Sequence, residues 1–142
     1  MPAFWDASAV VPLCFPQALS GVSHRLQREH RRLVVWWGTS VEVRAALSRL
    51  ATAESDLRES EVALARLDLL RESWREVLPT ERVRTLAENL TAQLQLGAGD
   101  AFQLAAALEW CDQRPRHRPF VCFDRRLAEA AFQLGFAVET GS

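Results

Sequence analysis

Leu33-Val34-Val35-Trp36-Trp37-Gly38-Thr39-Ser40-Val41-Glu42-Val43-Arg44 changes its periodicity at the glycine. The residues before Gly38 form an unbroken apolar run, which predicts a strand covered on both faces rather than one with a wet side. After it, Val43, Ala46, Leu47 and Leu50 recur at i, i+3, i+4 and i+7, the stripe of an amphipathic helix. Thr39-Ser40-Val41-Glu42 has the spacing of a capping box, with Glu42 reaching back to the Thr39 amide. A covered strand running straight into such a helix is the repeating unit of a parallel α/β sheet.

The same two patterns extend in both directions. Continuous apolar runs at Ala3-Trp5, Glu76-Leu78, Phe120-Phe123 and Phe136-Val138 predict further strands. Helical stripes run through Ala63, Leu67, Leu70 and Trp74, and through Val83, Leu86, Ala87, Leu90 and Leu94. Two more run through Ala101, Leu104, Ala105 and Leu108, and through Leu127, Ala130, Ala131 and Leu134. A more polar helix is predicted over Gln17–Arg31. Strands separated by helices predict an α/β sandwich around a mainly parallel sheet. No repeat or linker divides the chain, so one domain over 1–139 is expected, with a frayed tail at 140–142. Arg114-Pro115-Arg116-His117-Arg118-Pro119 is the clear loop.

Composition narrows the chemistry. The chain has 142 residues and a net charge of −1, so no overall basic field marks it as a nucleic-acid binder. Any nucleic-acid contact must come from a local patch. All 17 basic residues are arginine, which excludes mechanisms that need a catalytic lysine. Cys14, Cys111 and Cys122 form no CxxC or Cys/His pattern, as suits a reducing compartment. The N-terminal residues carry no basic segment before an apolar stretch, and no run is long enough to span a bilayer. A cytoplasmic location is expected.

Four acids fall where strands hand over to helices. Asp6 follows the first strand, and Glu42 lies in the first turn after the second. Asp100 opens the helix after Gly97-Ala98-Gly99, and Asp124 follows Phe120-Phe123. Each has an ordinary structural role available, since Asp is a favoured N-cap and Glu42 fits a capping box. Together they carry more meaning, because sites in parallel sheets form at the carboxyl ends of the strands. Clustered carboxylates repel one another, and a fold tolerates them when a divalent cation neutralises the charge. Oxygen-only donors suit Mg²⁺ or Mn²⁺.

Four segments carry a family resemblance: Phe4-Trp5-Asp6-Ala7-Ser8-Ala9, Trp37-Gly38-Thr39-Ser40-Val41-Glu42-Val43-Arg44, Gly99-Asp100-Ala101-Phe102-Gln103-Leu104-Ala105-Ala106-Ala107 and Phe120-Val121-Cys122-Phe123-Asp124-Arg125-Arg126-Leu127. Their order and spacing resemble a PIN domain, specifically the VapC-like toxin nuclease of a VapBC-type toxin–antitoxin pair. The resemblance implies a PIN-like three-layer α/β/α sandwich with a five-stranded central parallel sheet. It implies a Mg²⁺- or Mn²⁺-dependent endoribonuclease, with Asp6 and Asp100 as main metal ligands and Glu42 and Asp124 completing the metal environment. Ser8 and Thr39 match hydroxyl positions beside that pocket. Cys122 departs from the Thr or Ser usual two residues before the last acid, and a thiol is the weaker hydrogen-bond partner. The resemblance further implies an RNA substrate, a VapB-like antitoxin and a homodimer. Trp36, Trp37, Leu47 and Leu50 are candidates for the apolar surface an antitoxin covers. Arg125 and Arg126, flanking Asp124, are the favoured phosphate contacts.

Rival chemistries lose on missing residues. Receiver-type phosphoacceptors and haloacid-dehalogenase-like phosphatases need a lysine. A P-loop needs Gly-Lys-Ser/Thr, and a serine hydrolase needs GxSxG; neither occurs. Two readings survive beside the toxin: a PIN-type nuclease of RNA processing or DNA flaps, and a non-catalytic PIN-like binding module.

Overall fold

The computed structural model describes residues 1–51 and 57–141. In chain order it contains β1 (Ala3–Trp5), α1 (Ala7–Cys14), α2 (Ser20–Glu29), β2 (Leu33–Trp36), α3 (Thr39–Ala51), α4 (Leu57–Ser73), β3 (Arg75–Val77), α5 (Glu81–Leu94), α6 (Ala98–Trp110), β4 (Pro119–Val121), α7 (Arg125–Leu134) and β5 (Ala137–Glu139). The strands form one five-stranded sheet in the order β3-β2-β1-β4-β5. Every neighbouring pair is parallel. Of the tail expected at 140–142, Ser142 lies outside the described residues.

The apolar runs are continuous because the sheet is covered on both sides. Phe4, Val34, Trp36 and Phe120 join one core with residues of α5, α6 and α7. Ala3, Trp5, Leu33, Val35 and Val121 join the other with residues of α1, α2, α3 and α4. Successive strand residues point to opposite faces, and every residue of β1, β2 and β4 is buried. That is the three-layer α/β/α arrangement expected from the sequence. The strands sit within two residues of the predicted runs. Beyond the regular β2 and β4, Trp37 N donates to Val77 O at 3.0 Å and Cys122 N to Glu139 O at 3.0 Å.

Helix α1 has no counterpart among the predicted stripes. Seven of its eight residues are buried, and Pro12 lies inside it. A helix buried all round has no polar face to give it a period, and a proline removes one of its hydrogen bonds. Among the proposed antitoxin-facing residues, Trp36 and Leu47 are buried in the two cores, whereas Trp37 is 52% exposed. Trp36 lies flat against Phe102 of α6, ring centroids 5.0 Å apart and planes at 5°. Gly38 must be glycine for this packing, because a Cβ there would stand 2.6 Å from Trp36 Nε1.

Candidate active site

Asp6 is the residue immediately after β1 and the N-cap of α1. Its Oδ2 accepts from Ser8 N at 3.0 Å, so the capping role available in the sequence is filled. The side chain is only 4% exposed. Burial raises its carboxyl above the ordinary value, hydrogen bonds from Ser8 and Ala7 partly offset this, and the charge of Asp100 adds to the rise. Ser8 Oγ also accepts from Phe123 N at 2.9 Å and donates to Cys122 Sγ at 3.8 Å, tying the start of α1 to the end of β4.

Cys122 takes up the place beside Asp6. Its buried thiol lies 3.7 Å from Asp6 Oδ2 and 3.3 Å from the Asp124 carbonyl oxygen. Burial, and then the charge of Asp6, push the thiol well above its ordinary range. In the metal-free protein it is a thiol, a weak hydrogen-bond donor.

Asp124 caps α7, its Oδ1 accepting from Leu127 N at 3.1 Å, and it is exposed. Asp100 does not fill the capping role. Helix α6 begins at Ala98 with Gly97 as its N-cap, and Asp100 lies inside the first turn. Nor does this helix follow a strand: it follows α5. A cap must precede the helical residues, so the two-residue earlier start of α6 removes that explanation for Asp100. Burial, and then the charge of Asp124, raise its carboxyl, while Arg126 lowers it.

The capping box at Glu42 is also absent. Helix α3 begins at Thr39 itself, so Thr39 is not the preceding cap. Its hydroxyl and the Glu42 carboxylate instead share one donor. Gln103 Nε2 donates to Thr39 Oγ1 at 3.0 Å and to Glu42 Oε1 at 3.2 Å. Glu42 is pushed up to about 7, first by burial and then by the charge of Asp6; Gln103 opposes the rise and Asp100 adds to it.

The acids act on one another's charge in a chain of pairs. Asp6 acts on Glu42, Asp100 acts on Asp6 and Glu42, and Asp124 acts on Asp100. Among the described residues no three His, Cys, Asp or Glu side chains close up as a ready ligand cage. The two observations are compatible, because like charges act on one another over longer distances than a cation's ligands span. In donor type the set still suits a hard divalent cation, since it offers carboxylate oxygens, with Cys122 the one sulfur beside Asp6. Arg125 faces solvent and pairs with Glu129 at 3.3 Å, whereas Arg126 acts on Asp100. A groove of about 980 Å³ opens beside the cluster, lined by Phe123, Asp124, Arg125, Phe132 and Val138 among others. Asp6, Glu42 and Asp100 do not line it.

Gln103 is the residue that sequence reasoning passed over. A polar side chain among Ala101, Leu104, Ala105 and Leu108 was the available signal. Three positions after Asp100, it lies on the same side of α6.

No protein-family model matches the chain, and no curated protein does. Solved structures match its fold. The structure of FitAB bound to an IR36 DNA fragment shares 13% identity at a TM-score of 0.67, covering 98% of this chain and 94% of that one. PAE2754 from Pyrobaculum aerophilum shares 18% at 0.67, covering 99% and 90%. FitAcB from Neisseria gonorrhoeae shares 15% at 0.65, covering 98% and 97%. The likeness spans the whole described architecture, and the fold is PIN-like, as the four sequence segments led one to expect.

Proposed function

We propose that this chain is a Mg²⁺- or Mn²⁺-dependent endoribonuclease and the toxin of a toxin–antitoxin pair. The observation that carries the reading is that Asp6, Glu42 and Asp124 follow the carboxyl ends of the adjacent parallel strands β1, β2 and β4, while Asp100 acts on the charge of Asp6 and Glu42. Two of these acids have no capping role to explain them. The resemblance to VapC-like nucleases supplies the reaction class, and the PIN-like fold agrees with it.

In this reading Asp6 and Asp100 hold the ion, with Glu42 and Asp124 completing its surroundings. A bound ion polarises the phosphoryl oxygen and lowers the pKa of water. The chain's own residues do the positioning. Glu42 Oε1 is held by Gln103, and Glu42 is the acid that would orient the attacking water and take its proton. Ser8 fixes Asp6 through its backbone amide, and Arg126, whose charge acts on Asp100, is the candidate phosphate contact. Arg125 must leave Glu129 to contact RNA. A VapB-like antitoxin, a homodimeric state and a cytoplasmic location belong to the same proposal. In support of the location, no helix among the described residues is long and apolar enough to cross a membrane.

The test is cleavage of total RNA by purified protein with Mg²⁺, Mn²⁺ or EDTA, beside Asp100→Asn. Cleavage is expected with either ion and absent with EDTA and in the variant. Cleavage that survives EDTA, or none with any ion, overturns the reading.

A further inference from the structure

We propose that Gln103 is a positioning residue that holds Glu42 against the other acids; the inference rests on the nuclease reading above. Gln103 is fully buried. Its amide nitrogen bridges Thr39 Oγ1 and Glu42 Oε1, while its Oε1 is buried without a hydrogen-bond partner.

That orphaned oxygen argues for a role. A Leu or Met at 103 would continue the apolar stripe of α6 and leave no buried carbonyl unpaired. The amide therefore lowers stability at its own position, and what it provides in return is its donor. Glu42 needs one. Its carboxylate faces the charges of Asp6 and Asp100, and a side chain with free rotamers turns away from like charges toward water. Gln103 opposes that turn with a charge-assisted hydrogen bond. Thr39, fully buried on the same turn of α3, accepts the second proton of the amide and fixes its orientation. Its donor goes to Thr39 and Glu42, so Gln103 acts through Glu42.

The experiment is a double-mutant cycle on the full chain, with Gln103→Met, Glu42→Gln and the double variant. Gln103→Met keeps the length and removes the amide. Two readouts are taken: the Mn²⁺ dissociation constant from the electron paramagnetic resonance of free Mn²⁺, and kcat and KM on a single-stranded RNA oligonucleotide. Gln103→Met should keep the parent's circular dichroism. It should lose about 10- to 100-fold in kcat or Mn²⁺ affinity, as outer-shell partners of ligands do, with KM for RNA unchanged. In the Glu42→Gln background it should change nothing further. A Gln103→Met protein equal to the parent, or one losing the same factor in both backgrounds, overturns the positioning role and leaves the nuclease reading standing. A parent that neither binds Mn²⁺ nor cuts RNA overturns the nuclease reading, and the role falls with it. If the parent binds Mn²⁺ without cutting, the affinity cycle alone decides. Should Gln103→Met fail to fold, Thr39→Val removes the other anchor, and a smaller loss confined to the Glu42 background is then required.

Discussion

Replacing Glu42 by Gln tests whether burial, and after it the charge of the neighbouring acids, holds a proton on this side chain. In the metal-free protein Glu42 is raised from 4.5 to about 7. Between those values the folded protein binds a proton that the unfolded chain does not. The stabilisation is fully present below about pH 4.5 and is lost as pH rises through about 7. That displacement corresponds to at most about 3 kcal/mol, reduced by the solvent that reaches a half-buried side chain. For a chain of this length it is a fall in Tm of up to roughly 10 °C. Melting curves in EDTA should therefore show Tm falling between pH 5 and pH 8. Glu42→Gln should melt above the parent at pH 8 and close to it at pH 5. Some slope will persist in the variant, because Asp6 and Asp100 are also raised. Saturating Mn²⁺ at pH 8 should restore the parent's Tm. A parent Tm that is flat or rises over this range, or a Glu42→Gln variant with the parent's full slope, refutes the reasoning.

Asp100 and Asp124 should respond differently to truncation. In EDTA, Asp124→Ala loses a cap and should cost about 1 kcal/mol while Asp124→Asn does not; for Asp100 neither Ala nor Asn should lower Tm, and a loss confined to Asp100→Ala would restore its capping role. With Mn²⁺ added, stabilisation following RT ln(1 + [L]/Kd) should shrink in both Asp100 variants, as the same melts with a Mn²⁺ series will show. Gly38→Ala should push Trp36 off Phe102 and cost about 1–3 kcal/mol by overpacking. Chemical denaturation measures this, and a variant within 0.5 kcal/mol of the parent, on the order of a neutral surface change, would mean the Trp36 ring yields freely.

The sequence by itself determined the alternation of strands and helices, because burial of both sheet faces and burial of one helix face leave different local periods. It also placed Asp6 and Asp124 correctly as caps, since a cap's donors lie two or three residues away. Beyond the Asp6 cap it gave no helical stripe for α1, seven of whose eight residues are buried. The cap roles it offered Asp100 and Glu42 as the ordinary alternative are not filled, because α6 begins at Ala98 and α3 at Thr39. The strand order β3-β2-β1-β4-β5, the coupling of the four acids and the Gln103 bridge were decided by tertiary structure alone. Glu42 and Gln103 are 61 positions apart in the chain. A local pattern reports only which face a residue turns inward; what it meets there is set by the docking of one helix on another.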